Sequence, residues 1–207
     1  MKIRKKYRVE SAHVVRNCTS ERCSHSIHGH SAEIEVLLQS YYLDNAQMVY
    51  DFGLMKNGIG GFIDLFDHCY ILCSKDSEEF KEFIKKSCDR WIEIPFNPSA
   101  EMLSLFMLVY VNRIIDDTNT RNGEDDSLVC LSVRYHETAS GYAEADLDDA
   151  DLLWSRKWEN EITFSPKLRE EMLPALRDIL DGKNVVWNNP EVEQQINLKE
   201  QQINRKD

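Results

Sequence analysis

The chain has 207 residues, 42% of them hydrophobic and 29% charged, and its 25 basic against 36 acidic side chains leave a formal net charge of −11. That length suits one domain with appendages, or at most two small domains, and the ordinary apolar and charged content excludes disordered, collagenous and membrane classes. The acidic excess argues against a nucleic-acid binder working through a broad basic surface, and no run of about eighteen apolar residues offers a transmembrane helix.

The basic start, Met1 to Arg8, runs into alternating rather than uniformly apolar residues, so no export signal is expected. Ile3, Tyr7, Val9, Ser11 and His13 follow a period of two and predict a first strand. Residues 14–27 form a polar loop carrying Cys18 and Cys23. His28, His30, Ala32, Ile34, Val36 and Leu38 then alternate cleanly as a second strand. A turn at Asp44 and Asn45 precedes residues 54–66, whose helical spacing is interrupted by Gly58, Gly60 and Gly61.

Residues 76–88 predict a short amphipathic helix and residues 91–95 a brief extended piece. Ser99 caps a strongly apolar helix over residues 100–115, because its hydroxyl accepts from free N–H groups in the first turn. After a polar connection at 116–126, residues 128–137 and 142–146 read as a second hairpin, turning at Gly141. The order is that of an α+β domain, an antiparallel sheet with helices packed on one face, over residues 1–146. Residues 147–207 form a C-terminal helical extension. It has an acidic run at 148–151, a helical segment at 168–180 containing Pro174, and a repeated Gln-Gln-Ile-Asn at 194–197 and 201–204 that suggests a solvated helix rather than a coiled coil.

Six scattered cysteines without a CxxC pair point to free thiols and a cytoplasmic setting. The chemistry centres on His13, His28 and His30. Residues two apart on a strand share a face, so His28 and His30 converge, and the neighbouring strand offers His13. Three imidazoles leave a fourth tetrahedral position open, as in catalytic zinc sites. His-X-His alone equally fits packed or surface residues, so the neighbours carry the argument.

Cys23, five residues before His28, is a candidate thiolate base or nucleophile, with Cys18 the alternative. Asp67-His68 is a candidate proton-relay pair, although adjacent residues on a regular helix do not readily bond each other. Glu137, on the apolar-alternating face of its strand, needs a partner, such as the N–H groups of an aminopyrimidine.

Ser11-Ala12-His13, Cys23 with His28-Gly29-His30, residues 49–52 (Val-Tyr-Asp-Phe), Phe66-Asp67-His68, residues 97–101 (Asn-Pro-Ser-Ala-Glu) and Glu137-Thr138 stand in one order along residues 2–146. The set resembles the family of 6-pyruvoyltetrahydropterin and 6-carboxytetrahydropterin synthases. The resemblance implies the tunnelling fold, assembled into an oligomeric barrel as a tetramer or hexamer whose sites are shared between subunits. It also implies zinc on His13, His28 and His30, Cys23 as general base, and Asp67 with His68 as its relay. Glu137 would anchor the pterin ring, with Thr138 and Glu101 lining the pocket.

The family substrate is 7,8-dihydroneopterin triphosphate, and a Lewis acid on its side-chain hydroxyls would acidify neighbouring C–H bonds. The chain departs from the family pattern at Ser99, where Thr is common, in the longer segment 70–96 and beyond Asp146. The expected activity is that of a zinc-dependent lyase, a 6-carboxytetrahydropterin synthase serving queuosine biosynthesis, with 6-pyruvoyltetrahydropterin synthase as the alternative. A third branch of the family carries glutamate where this chain has Cys23. A non-catalytic pterin- or purine-binding oligomer and a purely structural metal are the readings from other classes. Arg16 and Arg22 are candidates for the triphosphate, and neither nucleic acid nor membrane is an expected partner.

Overall fold

The computed structural model describes residues 1–44, 46–116 and 127–183, together with the backbone of residues 118–119, 187–188 and 196–197. Two long strands, β1 (Lys2–His13) and β2 (His28–Gln39), pair antiparallel over their whole length, from Lys2 opposite Gln39 to His13 opposite His28. The loop between them contains one short helix, α1 (Glu21–His25). β3 (Tyr42–Leu43) follows, and Asp44 makes the predicted turn by accepting the N–H groups of Ala46 and Met48, each at 2.9 Å. Asn45, the other turn residue, lies outside the described residues.

The segment read as one helix over 54–66 divides into a 3-10 turn (Leu54–Lys56) and α2 (Ile59–Asp64). Glycine removes helical support here, and Gly60 has a packing reason as well: a Cβ would sit 3.0 Å from the Met55 carbonyl oxygen and 3.3 Å from the Tyr7 ring. β4 (Cys69–Cys73) comes next, then α3 (Glu78–Ser87), capped by Ser77, and β5 (Trp91–Ile94). α4 (Ala100–Asp116) begins as expected, with Ser99 Oγ accepting the Met102 N–H at 3.4 Å.

β6 (Thr118–Asn119), β7 (Val129–Thr138), β8 (Gly141–Asp146) and α5 (Leu147–Leu153) follow. Last come β9 (Thr163–Phe164), α6 (Pro166–Glu171), α7 (Pro174–Leu180), β10 (Trp187–Asn188) and β11 (Ile196–Asn197). The single helix expected over 168–180 is two, because the residue before Pro174 is driven out of helical geometry; Leu173 has φ −55° and ψ 141°.

The main sheet has seven strands in the order β8-β7-β2-β1-β4-β5-β9 and is open. Its β8-β7-β2-β1 part is the antiparallel sheet the two hairpins predict, while β4 and β5 extend it in parallel from β1. All five residues of β4 are buried. A strand covered on both sides reads as a continuous apolar run rather than an alternating one. Its Ile71 joins the main core, whereas Tyr70 and Leu72 pack with Ile84 of α3 and Trp91 on the other face.

The larger core lies between the sheet and α2, α4 and the helices after residue 146. Ala32, Ile34, Val36 and Leu38 of β2 are fully buried against it. Phe62, Phe66, Phe106 and Tyr110 form an aromatic cluster there, continued by Trp154. Beyond Asp146, Leu168, Met172, Leu176 and Ile179 share this core, and β9 pairs with β5. β10 pairs with β6 and β11 with β3. Apart from those paired strands, the connection at 117–126 and the repeat at 194–204 lie outside the described residues. On the opposite face of β1, β2 and β7, ion pairs replace apolar packing: Lys6 bridges Glu33 and Glu35, and Arg134 reaches Glu144 at 3.0 Å.

Candidate metal centre and active site

The β1–β2 register brings the three histidines together. His13 lies directly across from His28, His30 lies across from Ser11, and all three occupy the core-facing side at the end of the sheet. Their ring centroids are 4.7, 5.3 and 5.1 Å apart. One nitrogen of each can meet the others within 4.8 Å, a spacing that can hold a metal ion.

The second ring nitrogens of His13 and His28 are held by backbone carbonyls. His13 Nδ1 donates to the Pro98 carbonyl oxygen at 2.8 Å and His28 Nδ1 to that of Ser26 at 3.0 Å. A carbonyl can only accept, so in the neutral imidazoles the proton is on Nδ1 and the Nε2 lone pair is free. This is the arrangement by which metal-binding histidines are oriented. His13 is almost fully buried, and burial, with His28 and His30 beside it, lowers its pKa to about 4, so at neutral pH it is an uncharged ligand. His13 Nε2 and His30 Nε2 are buried without a hydrogen-bond partner. Buried polar atoms are rarely left so, and a bound cation satisfies both.

Glu137, near the end of β7, points into this cluster. Its Oε1 is 3.4 Å from His13 Nε2 and 3.6 Å from His30 Nε2. Thr138, next in the strand, is exposed at the hairpin, with Oγ1 3.4 Å from Ser140 Oγ. Glu101 is exposed in the first turn of α4, just past the Pro98 and Ser99 that support His13 and the helix.

Cys23 sits in α1, and its carbonyl accepts the Val15 N–H at 3.0 Å, which ties the helix to the chain two residues after His13. Cys18 donates its S–H to the Ser20 carbonyl at 3.3 Å, whereas the Cys23 sulfur has no hydrogen bond among the described residues. Arg16, a triphosphate candidate, is already engaged: its Nε is 2.7 Å from Asp76 Oδ1 and its Nη1 donates to the Ser24 carbonyl. Arg22 is exposed on α1.

Asp67 and His68 do bond each other despite being adjacent. His68 Nδ1 is 2.8 Å from Asp67 Oδ2, while Asp67 Oδ1 accepts the Glu10 N–H at 2.7 Å. The pair lies after α2, where His68 takes a left-handed φ of 49°, so the regular-helix objection does not apply. His68 is exposed and opens onto a groove of about 550 Å³ lined by Glu10, Gly29, His30, Ser31 and Arg90. Neither Asp67 nor His68 forms a hydrogen bond with Cys23 among the described residues.

Sequence reasoning missed the Pro98 carbonyl and the Asn97 side chain. Asn97 Oδ1 accepts the Arg16 N–H at 2.9 Å and Nδ2 donates to the Arg16 carbonyl at 2.7 Å, pinning this loop to the end of β1. The Asn-Pro pair was visible as part of a motif, but a main-chain contact leaves no compositional trace. A second group, Glu33, Glu35 and His136, also gathers ligand atoms within 4.8 Å. Lys6 lies 2.5 and 2.9 Å from the two carboxylates and Arg4 3.2 Å from Glu35, so cations of the chain itself already fill it.

A family model described as 6-pyruvoyl tetrahydropterin synthase matches residues 2–148. The chain belongs to this family. Among relatives in the pterin synthase family, the 6-carboxy-5,6,7,8-tetrahydropterin synthase of Helicobacter pylori strain J99 is 44% identical over 151 residues, 73% of this chain and 75% of its own length. The protein of the same name from Aquifex aeolicus is 30% identical over 122 residues, 58% of this chain and 73% of its own. An uncharacterized protein from Wolinella succinogenes superposes with a TM-score of 0.55 at 19% identity, covering 71% of this chain and 98% of its own. A Plasmodium vivax 6-pyruvoyltetrahydropterin synthase variant gives 0.52 at 16%, covering 70% and 96%. The last two establish a shared fold.

Proposed function

We propose that the protein is a zinc-dependent lyase that converts 7,8-dihydroneopterin triphosphate to 6-carboxy-5,6,7,8-tetrahydropterin, releasing acetaldehyde and triphosphate, on the route to 7-deazaguanines such as queuosine. The observation that carries the reading is the cluster of three histidines, in which Nε2 of His13 and His30 is buried and unpartnered and Nδ1 of His13 and His28 is held by a carbonyl. The product assignment is supported by the name of relatives 44% identical over 151 residues.

Zinc on His13, His28 and His30, when bound, supplies a Lewis acid for the side-chain hydroxyls of the substrate. Cys23 takes the proton from the adjacent side-chain carbon as a thiolate. Asp67 holds the His68 proton on Nδ1, so that Nε2 faces outward for proton transfer. Since His68 is exposed and makes no hydrogen bond with Cys23 among the described residues, a second copy in a barrel-like homo-oligomer would bring its Asp67 and His68 to this thiol. Glu101, Glu137 and Thr138 would line the pterin pocket, with the Glu137 carboxylate matched to two ring N–H donors. The domain would comprise residues 1–146 and the extension 147–207, with a cytoplasmic location.

Incubation of purified zinc-loaded protein with 7,8-dihydroneopterin triphosphate should yield acetaldehyde together with the carboxylated pterin. Triphosphate without acetaldehyde would mean the 6-pyruvoyl product instead, and no turnover at all would reject both.

A further inference from the structure

Two segments in which this chain departs from the family pattern meet behind the Asp67-His68 pair. Arg90 stands in the longer stretch 70–96, and Glu171 in the extension, beyond the residues 2–148 that the family model matches. The Arg90 guanidinium engages all three of its nitrogens there. Nε donates to the Asp67 carbonyl oxygen at 2.9 Å, Nη2 to that of Asp64 at 2.7 Å, and Nη1 to the Glu171 carboxylate.

Each acceptor bears on the turn that carries His68. Asp64 ends α2, where the last carbonyls lack intrahelical partners and a cationic side chain can supply one. The Asp67 carbonyl belongs to the peptide that leads into His68. A non-glycine residue keeps a left-handed φ, here 49°, only where its surroundings hold it. The Glu10 N–H fixes the carboxylate of Asp67 and Arg90 fixes its carbonyl, so that residue is held at both ends.

The clamp is itself anchored. The Arg90 carbonyl accepts the Tyr70 N–H at 3.0 Å, which fixes the backbone from which the guanidinium reaches out. Glu171 is the last residue of α6, between Leu168 and Met172, both buried in the core. Its carboxylate therefore meets Arg90 from a seated helix. A planar fork with fixed donor directions suits three acceptors at set positions, whereas an ammonium is a point charge.

We infer that Arg90 is a positioning residue for the Asp67-His68 pair and that Glu171 holds it in place, so that the C-terminal extension helps to aim His68. This rests on the proposal that the pair relays protons. Neither residue is assigned a contact with substrate. Arg90 sets the peptide, and the turn built on that peptide keeps His68 Nδ1 on Asp67 with Nε2 directed outward.

The test uses the full zinc-loaded chain and reads two quantities. One is the tautomer of His68 by nitrogen NMR at a pH where the ring is neutral, with its signal assigned by loss in His68→Gln. The other is steady-state turnover of 7,8-dihydroneopterin triphosphate. Wild type should carry the proton on Nδ1. Arg90→Ala should shift the signal towards a mixture of tautomers and lower kcat about 10-fold or more, with KM little changed, because a displaced catalytic group costs rate rather than binding. Arg90→Lys keeps the charge without the fork and should recover only part of the loss. Glu171→Gln should move both quantities the same way by less. Glu159→Gln, which breaks the extension's contact with Arg113 of α4, should move neither.

An inactive wild type overturns the relay reading, and the NMR signal, which needs no substrate, then decides the positioning alone. Tautomer and kcat unchanged in Arg90→Ala overturn the inference. Equal losses in Glu159→Gln overturn it too, since loosening the extension anywhere would then suffice, and Glu171→Gln without effect overturns the extension's part. If Arg90→Ala does not fold, Arg90→Lys and Glu171→Gln decide by the same signal, and no change in either overturns the inference.

Discussion

His13 Nδ1 and the Pro98 carbonyl oxygen are 2.8 Å apart, and this single bond selects the tautomer that leaves the buried Nε2 free to bind a metal. Pro98 is held in turn by Asn97, whose side chain makes two hydrogen bonds to the backbone of Arg16. Asn97→Ala should therefore lower stability by about 1–3 kcal/mol, the cost of leaving such groups unmatched. It should also weaken Zn2+ binding about 10-fold, as loss of support behind a ligand does. Chemical denaturation and chelator competition measure the two effects separately.

Gly29 separates His28 from His30, and a Cβ there would lie 3.0 Å from the Ser11 backbone oxygen. The neighbouring strand cannot yield as a flexible side chain would. Gly29→Ala should cost about 1–3 kcal/mol in thermal or denaturant unfolding, and it should reduce metal content after dialysis, because both flanking histidines shift with the strand.

Cys23→Ala should abolish turnover while leaving the bound zinc at one per chain, since the three histidines are untouched. Cys18→Ala should retain activity, because that thiol is occupied with the Ser20 carbonyl. Metal analysis beside the acetaldehyde assay checks both; the opposite pattern would assign the base to Cys18.

The Asp67 carboxyl sits below its ordinary value: burial pushes it up, but bonds from the Glu10 N–H and His68 more than offset this. A carboxyl depressed in the folded state stabilises above its unfolded pKa of about 4, and that contribution is lost as pH falls through the folded value. Asp67→Asn should accordingly be less stable than wild type at pH 6, by about 0.5–1.5 kcal/mol. The gap should narrow as the pH falls below the ordinary carboxylate range and vanish once Asp67 is protonated in the folded state. Melting curves of the two proteins across that range test the sign.

Removal of zinc by a chelator should abolish activity without unfolding the chain, because α4 and the aromatic cluster around Phe106 hold the core independently of the histidines. Re-addition should restore it. Circular dichroism during the cycle separates this outcome from a structural metal, whose loss would unfold the site strands.

The sequence by itself determined the two hairpins, the apolar helix over residues 100–115 and the pairing of His13 with His28 and His30. Each depends on a local period, two for a strand and about 3.6 for a helix, that adjacent residues display. It also showed the family's motifs in order. Only the tertiary structure decided that Cys69–Cys73 is a strand, because a segment buried on both faces loses its alternation. Only the tertiary structure brought Pro98 to His13 and Glu137 to the same imidazoles, across sequence separations that no period records. A carbonyl has no residue type and a carboxylate's partner is chosen by packing, so the tautomer of His13 and the placing of Glu137 beside it emerge only when the strands and the loop before α4 meet.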